Sequence, residues 1–289
     1  MPPLYRERTE GTTLRLEYAS WADFVTDAET LPLAPYAKNT RARENVRDAF
    51  CQSTWQQCCQ WAREGWPEGL RHAAAIKDAL WDAISSHVAF PVLRYDVEGA
   101  ILDIGRLCGG EPEHWGTLET ELREMDGTRF LHLVINGCAS AGIPAETLQA
   151  KAGTLGALVE LLEYAGLRVK VTLAIVAGHC TTTVPVKEYS DWLDTDRLTF
   201  MCGHPSVLRR LMFAIWCSFP RATADQFGFA YPIHGHVGEM PAGERGDIYV
   251  GGGHFGGGPT DWRDPAQAHA WVLQTLRAQG VHVREGEGA

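Results

Sequence analysis

Asn136, Cys138 and Ser140 stand at alternate positions directly after an apolar run that begins at Phe130. Their side chains offer an amide oxygen, a thiol and a hydroxyl within five residues. Oxygen atoms of this kind bind hard metal ions, and a thiol that loses its proton becomes a nucleophile. The spacing therefore marks the end of this run as the first candidate site for chemistry.

Two later loops carry further polar groups. Thr181 and Thr182 follow a second apolar run, and Gly252 and His254 follow a third. If the runs are strands of one open α/β sheet, their ends meet at the edge where such sheets bind ligands. The sequence therefore predicts a ligand- or partner-binding site made of Asn136, Cys138, Ser140, Thr181, Thr182, Gly252 and His254.

Cys138 is a candidate nucleophile if an imidazole lies beside it and the following helix lowers its pKa. His179 is one candidate imidazole, whereas His132 lies within the predicted strand, so its side chain points to a face of the sheet. A small buried apolar residue is the other role of such a cysteine, and we favour it. The alternative is an enzyme with a non-standard site. That site would be built around Cys138, Ser140, His179 and His254.

Two other constellations have competing interpretations. His234 and His236, with His254 and either Cys202 or His204, could form a zinc site, although no strict ligand spacing is met, and we favour loop histidines. Glycines at 251–253 and 256–258 could cradle a phosphate, but the Walker A pattern is missing and no lysine follows. A tightly turned loop is the favoured interpretation of this segment.

The elements that must position these residues follow from the apolar patterns. A strand from Phe130 precedes a helix that begins near Pro144 and ends at Gly166, and a strand at 167–176 completes a βαβ unit. Further predictions are an edge strand at 184–189, a strand at 198–202, a helix from His204, a strand at 247–250, a helix at 264–278 and a last strand at 281–283.

The preceding part of the chain is predicted to be mainly helical, with helices at 52–64 and 70–87 and an N-cap at Ser20. Alternating apolar residues at 92–107 predict a β-hairpin or two short strands. The predicted domains are a helical N-terminal extension with a short hairpin at 1–128 and an α/β domain at 129–289.

From residue 129 to 283 the order of elements resembles a von Willebrand factor A (VWA) domain, in particular that of cobalt-chelatase-type proteins. The resemblance rests on a strand with a polar loop, an amphipathic helix, a second strand, an edge strand and helix, and a late strand before a C-terminal helix. It implies a Rossmann-like open sheet with helices on both faces.

The resemblance also implies a metal site of the pattern Asp-x-Ser-x-Ser, completed by a threonine and a late aspartate. Here Asn136 and Cys138 replace the first two positions, only Ser140 matches, and glycines at 251–253 replace the late aspartate. Two anionic ligands are thus missing, so we expect a degenerate site without a cofactor. If Mg²⁺ or Zn²⁺ binds, the expected ligands are Asn136, Ser140 and Thr182.

Composition limits the function. The 289 residues carry a formal net charge of −10, so generic nucleic-acid binding is not expected. No apolar run reaches the roughly 18 residues of a membrane span, and the N-terminal residues contain no apolar signal core, so we expect a cytoplasmic protein without a membrane partner.

The expected function is a non-enzymatic VWA-like protein that binds a protein partner through the loops 136–143, 177–183 and 251–260. The segment 53–69 resembles uncharacterised proteins of bacteriophages and actinobacterial mobile elements, which implies that origin and, in that case, the cytoplasm of a bacterial host. Besides the enzyme, the remaining alternative is a structural virion component, and a homo-oligomer is possible.

Overall fold

The computed structural model describes residues 2–47, 51–88, 92–119, 130–138, 143–230, 238–252 and 257–283. Within them, a mixed sheet of six strands has the order β1-β2-β8-β7-β6-β9, and a separate sheet of three strands has the order β3-β5-β4. The strands are β1 (Arg6–Glu10), β2 (Thr13–Glu17), β3 (Val92–Asp96), β4 (Ile101–Leu102), β5 (Trp115–Glu119), β6 (Phe130–Asn136), β7 (Arg168–Ala177), β8 (Cys180–Lys187) and β9 (Ile248–Val250).

The described helices pack mainly on one face of the larger sheet. They are α1 (Trp21–Thr30), α2 (Trp55–Glu64), α3 (Pro67–Ile84), α4 (Ile104–Cys108), α5 (Ala145–Tyr164), α6 (Thr195–Gly203), a π-helical turn (Val207–Met212) that continues into α7 (Phe213–Trp216), α8 (Arg221–Phe227) and α9 (Pro265–Ala278). Helix α4 has no buried residue. The Ser20 side chain accepts a hydrogen bond from the Asp23 backbone, so the predicted N-cap of α1 is confirmed.

The βαβ unit is confirmed. Strands β6 and β7 pair in parallel from Phe130 with Arg168 to Asn136 with Ala174, and α5 crosses between them. Pro144 occupies the N-cap of α5, and Gly166 adopts a φ of +91°, which favours glycine after a helix end. Helix α5 is buried on nearly every side because α3 and α6 pack against it as well as the sheet.

The sequence predicted helices on both faces of the sheet, but the described helices pack mainly on one face. One large apolar core joins the helices to alternate strand residues such as Leu133, Leu173 and Cys180. The opposite face has a small cluster to which no described helix contributes: Val134, Ala174, Val176, Met240 and Tyr249. Polar residues such as His132 and Thr172 alternate with them on that face.

The N-terminal segment contains two strands that the sequence analysis missed. Strand β1 pairs with β2, and β2 pairs in parallel with β8 from Leu14–Cys180 to Glu17–Thr183. Leu14 and Leu16 are buried in the main core. Residues 6–17, assigned to a helical extension, therefore belong to the main sheet. The predicted boundary at 128/129 falls in 120–129, outside the described residues.

Strand β8 differs from the predicted edge strand. It has β7 on one side and β2 on the other, but β2 pairs with it only as far as Thr183. Pro185 thus lies in the part of β8 with a single neighbour, where its missing N–H removes no ladder bond. The predicted edge strand at 184–189 is therefore confirmed for 184–187, whereas residues 180–183, predicted to be loop, form the part of β8 that has a neighbour on each side.

Two smaller expectations are also corrected, and a third is narrowed to one of its alternatives. Residues 198–202 belong to α6, which Asp194 caps, because a five-residue apolar run suits either element. Of the two alternatives for 92–107, the structure has two short strands, because β3 and β4 both pair with β5 rather than with each other. The last predicted strand is a single bridge between Val88 and Val283.

Candidate functional site

The candidate site lies where β6 and β9 end side by side. The two strands pair in parallel as far as Ile135 with Val250, so the chain leaves both at the same edge of the sheet. Ligands of open α/β sheets bind at this edge. The structure thus brings Asn136 and Gly252 together, as the sequence predicted.

Asn136 is buried, and its side chain is fully engaged. Its Nδ2 donates to the Gly238 oxygen at 2.9 Å and to the Tyr249 hydroxyl at 3.3 Å. Its Oδ1 accepts from the Cys138 backbone N–H at 3.0 Å. The amide therefore fastens the end of β6 to neighbouring loops and has no oxygen directed to a metal ion.

Cys138 is a buried thiol. Its Sγ donates to the Val176 oxygen at 3.2 Å, and burial raises the pKa of the thiol to about 12. His179, its proposed imidazole partner, is exposed in the turn between β7 and β8. Burial and the raised pKa both disfavour a reactive thiolate, and the buried position agrees with the favoured interpretation of a structural residue.

Thr181 and Thr182 lie in β8 rather than in a loop, two strands from β6. Thr182 pairs with Ile175, whose side chain faces the helices, whereas Asn136 pairs with Ala174 on the opposite face. Thr181 shares the face of Asn136 but lies roughly 10 Å away, the width of two strand spacings. The expected metal ligands Asn136 and Thr182 therefore point to opposite faces and do not fit one ion.

Four of the predicted functional residues are not described. Ser140 lies in 139–142, His254 in 253–256, and the pair His234 and His236 in 231–237, all outside the described residues. Gly252 is described, and a Cβ atom there would lie 2.4 Å from the Cys138 oxygen. Glycine is required at Gly252 because the two loops touch.

Within the described part of the chain, no group of three or more His, Cys, Asp or Glu side chains is arranged to hold a metal ion. Two of the proposed zinc ligands, His204 and Cys202, are buried. The imidazole of His204 lies against Trp66, Trp61 and Phe200, and burial lowers its pKa to about 3. Cys202 is a buried thiol whose pKa burial raises to about 12.

Lys151 is the principal feature that the sequence analysis missed. Its side chain is 5% exposed, and its Nζ donates to the Asn136 oxygen at 3.2 Å and the Gly251 oxygen at 3.0 Å. Burial lowers its pKa to about 8. One signal was available: Lys151 follows Leu148 by three residues and precedes Leu155 by four, so it stands on the apolar stripe of α5.

A carboxyl group lies at the same strand end on the opposite face. Glu239 accepts a hydrogen bond of 2.6 Å from the Tyr249 hydroxyl, which in turn receives bonds from Met240 N–H and Asn136. Burial and the bond to Glu239 raise the pKa of Tyr249. The Oε1 atom of Glu239 is buried without a hydrogen-bond partner among the described residues.

An open cavity of about 190 Å³ adjoins Lys151. We call it the anchor cavity: it lies between the start of α5 and residues 260–263. Its lining is Ile143, Pro144, Thr147, Leu148 and Lys151 on one side and Thr260, Asp261, Trp262 and Arg263 on the other. The Lys151 Nζ lies 6.0 Å from the centre of the Trp262 ring.

A larger depression of about 580 Å³, the helix groove, runs between α3 and the start of α9. On α3 it is lined by His72, Ala75, Ile76, Ala79, Leu80 and Ala83. Trp262 and Arg263 line both the helix groove and the anchor cavity, so the two adjoin. The carboxyl edge of the sheet thus continues into an apolar surface.

No helix among the described residues is long and apolar enough to cross a membrane. No curated protein and no solved structure matches the chain. The model of the family described as "Domain of unknown function (DUF7192)" matches residues 6–283, nearly the whole length, and the chain therefore belongs to this family.

Proposed function

We propose that this chain is a non-enzymatic binding protein that holds a segment of a protein partner at the carboxyl edge of its sheet. The observation that carries the proposal is the anchor cavity, with the helix groove beside it. The anchor cavity alone, at about 190 Å³, is below the roughly 300–1,000 Å³ of small-molecule sites, whereas the adjoining helix groove, at about 580 Å³, is within that range. One side chain of a partner is the better fit.

The surroundings support a peptide rather than a compact ligand. Interfaces gain most of their binding free energy from a few side chains buried in pockets, with apolar contacts around them. An anchor residue in the cavity would place its neighbours over Trp262 and the alanines of the groove. Asn136 and Cys138, which are bonded within the protein, support a role without catalysis.

We also infer a VWA-like arrangement of the second half of the chain. Its support is the succession of β6, α5, β7, the antiparallel β8 and a late strand β9 followed by α9. The same carboxyl edge is the one at which the resemblance placed partner binding. The proposed protein partner depends on the cavity and not on this resemblance.

A peptide-display selection tests the function. Random 12-residue peptides are selected on the wild-type protein and measured against Thr147→Trp, which fills the anchor cavity. The matched control is Glu146→Trp, an exposed neighbour that does not line the cavity. We expect a family of peptides that binds the wild type and the control alike and binds Thr147→Trp about tenfold or more weakly.

Thermal unfolding of all three proteins shows whether each is folded. Selection that yields only peptides insensitive to Thr147→Trp would contradict the proposed function.

A further inference from the structure

Lys151 differs from the other buried or half-buried lysines in forming no ion pair with a carboxylate of the described residues. The Nζ atoms of Lys77, Lys170 and Lys187 each form an ion pair, with Glu160, Glu188 and Glu163 respectively. Within the described part of the chain, the bonds of Lys151 go to two backbone oxygens. A buried cation is costly unless an opposite charge accompanies it.

The second observation is that Lys151 lines an open cavity. The groups around it are suited to an anion, since the hydroxyls of Thr147 and Thr260 can donate hydrogen bonds. The one carboxylate in the lining, Asp261, is already paired with Arg263 at 3.1 Å. The formal charge of the lining is therefore positive in a chain whose net charge is −10.

We infer that the group entering the anchor cavity is a carboxylate of the partner segment, which pairs with Lys151. This inference rests on the proposed function, because it names the anchor residue of the same site. The carboxylate is that of an aspartate or glutamate side chain or that of a chain end. Either one would supply the opposite charge that the fold leaves out, with a hydrogen bond of the strong, charge-assisted kind.

The competing explanation is that Lys151 serves only to fasten the ends of β6 and β9. A purely structural lysine would affect every peptide equally, whatever its anchor. A peptide that pairs a carboxylate with Lys151 would lose affinity on substitution of Lys151 only while that carboxylate is charged. A double-mutant cycle separates the two cases.

The experiment uses the peptides that depend on the cavity in the display selection. Each acidic residue is replaced in turn by its amide, Glu→Gln or Asp→Asn, and the C-terminus is amidated in a separate series. Affinities for the wild type, for Lys151→Met and for the control Lys77→Met are measured by fluorescence polarisation. Methionine keeps the apolar stem of Lys151, so the fold is retained.

We expect one carboxylate per peptide whose neutralisation weakens binding to the wild type and to Lys77→Met about tenfold or more. Its neutralisation should not change binding to Lys151→Met. The position of that carboxylate distinguishes a side chain from a chain end. Equal weakening on wild type and Lys151→Met would overturn the inference.

The inference and the proposed function fail in different ways. Cavity-dependent peptides that share an apolar or neutral anchor would refute the carboxylate and leave the protein-binding function standing. Absence of any peptide sensitive to Thr147→Trp would remove the function itself.

Discussion

The Nζ atom of Lys151 lies 3.2 Å from the backbone oxygen of Asn136, so a side chain of α5 holds the last residue of β6. The same atom reaches the oxygen of Gly251, just beyond β9. One buried ammonium group therefore ties together the two strand ends that border the candidate site. This tie links the stability of the edge to the protonation of a single lysine.

Lys151→Met tests that link through the pH dependence of stability. The pKa of Lys151 is about 8 in the fold, below the usual value of about 10.4 in an unfolded chain. Between these values the unfolded chain binds the proton and the folded chain does not, so the free energy of unfolding rises with pH. We expect the wild type to gain roughly 3 kcal/mol relative to Lys151→Met between pH 8 and 10.5.

Urea unfolding of both proteins at pH 7, 9 and 10.5 measures this difference. If the difference in unfolding free energy between the two proteins is the same at all three pH values, the pKa of Lys151 is not lowered in the folded protein.

His204 predicts a loss of stability in acid. Its pKa of about 3 in the fold lies below the usual value of about 6.5. From pH 6.5 down to 3 the unfolded chain gains a proton that the folded chain refuses, so stability falls as the pH falls. We expect His204→Asn to unfold with a smaller pH slope in this range, as measured by chemical denaturation.

The exposed His72→Asn serves as the control for this experiment and should keep the slope of the wild type. Identical slopes for His204→Asn and the wild type would mean that His204 titrates normally.

Cysteine labelling distinguishes the buried from the reactive interpretation of Cys138. Cys108 is exposed, whereas Cys138 is buried with a pKa raised to about 12. We expect iodoacetamide at pH 8 to label Cys108 first and Cys138 only under denaturing conditions. Peptide mass mapping gives the order of labelling. Labelling of Cys138 in the native protein at the same rate as Cys108 would support the reactive interpretation.

Arg210 predicts a large loss of stability on conservative substitution. It is 1% exposed in the π-helical turn, and its guanidinium donates to the oxygens of Arg41, Ala42, Glu44, Val46 and Ser53. A lysine has three donors and no planar fork. We expect Arg210→Lys to cost about 3–5 kcal/mol of unfolding free energy in urea.

Arg197→Lys is the matched control, because Arg197 forms an exposed pair with Asp194. Its cost should stay within about 0.5 kcal/mol. A similar small cost for Arg210→Lys would show that residues 41–46 and Ser53 do not depend on this side chain for their position.

The central βαβ unit was predictable because its signals are local. Pro144 and Gly166 delimit α5 within a residue or two, and the apolar runs of β6 and β7 need no distant partner to be recognised. Strand β2 was missed although Leu14 and Leu16 alternate with polar residues. Its place in the main sheet depends on pairing with β8, which lies far along the chain.

The site was predictable in place but not in detail. The position of Asn136 at a strand end identified the edge, but the sequence does not reveal that Gly238 and Tyr249 occupy its amide. The position of Lys151 at the site could not be predicted because one of its two partners, Gly251, is distant in sequence. Long-range hydrogen bonds decide whether a polar residue is available, and a spacing pattern does not contain them.

The pairing of β2 with β8 also sets a constraint on how the chain is made. Leu14 meets Cys180 only after roughly 165 further residues have left the ribosome, which takes roughly 8 to 33 s at about 5–20 residues per second. Throughout that time β2 has only its neighbour β1 to pair with, and Leu14 and Leu16 lack the core that buries them. Strand β2 is thus made long before the strand that fixes it in the main sheet.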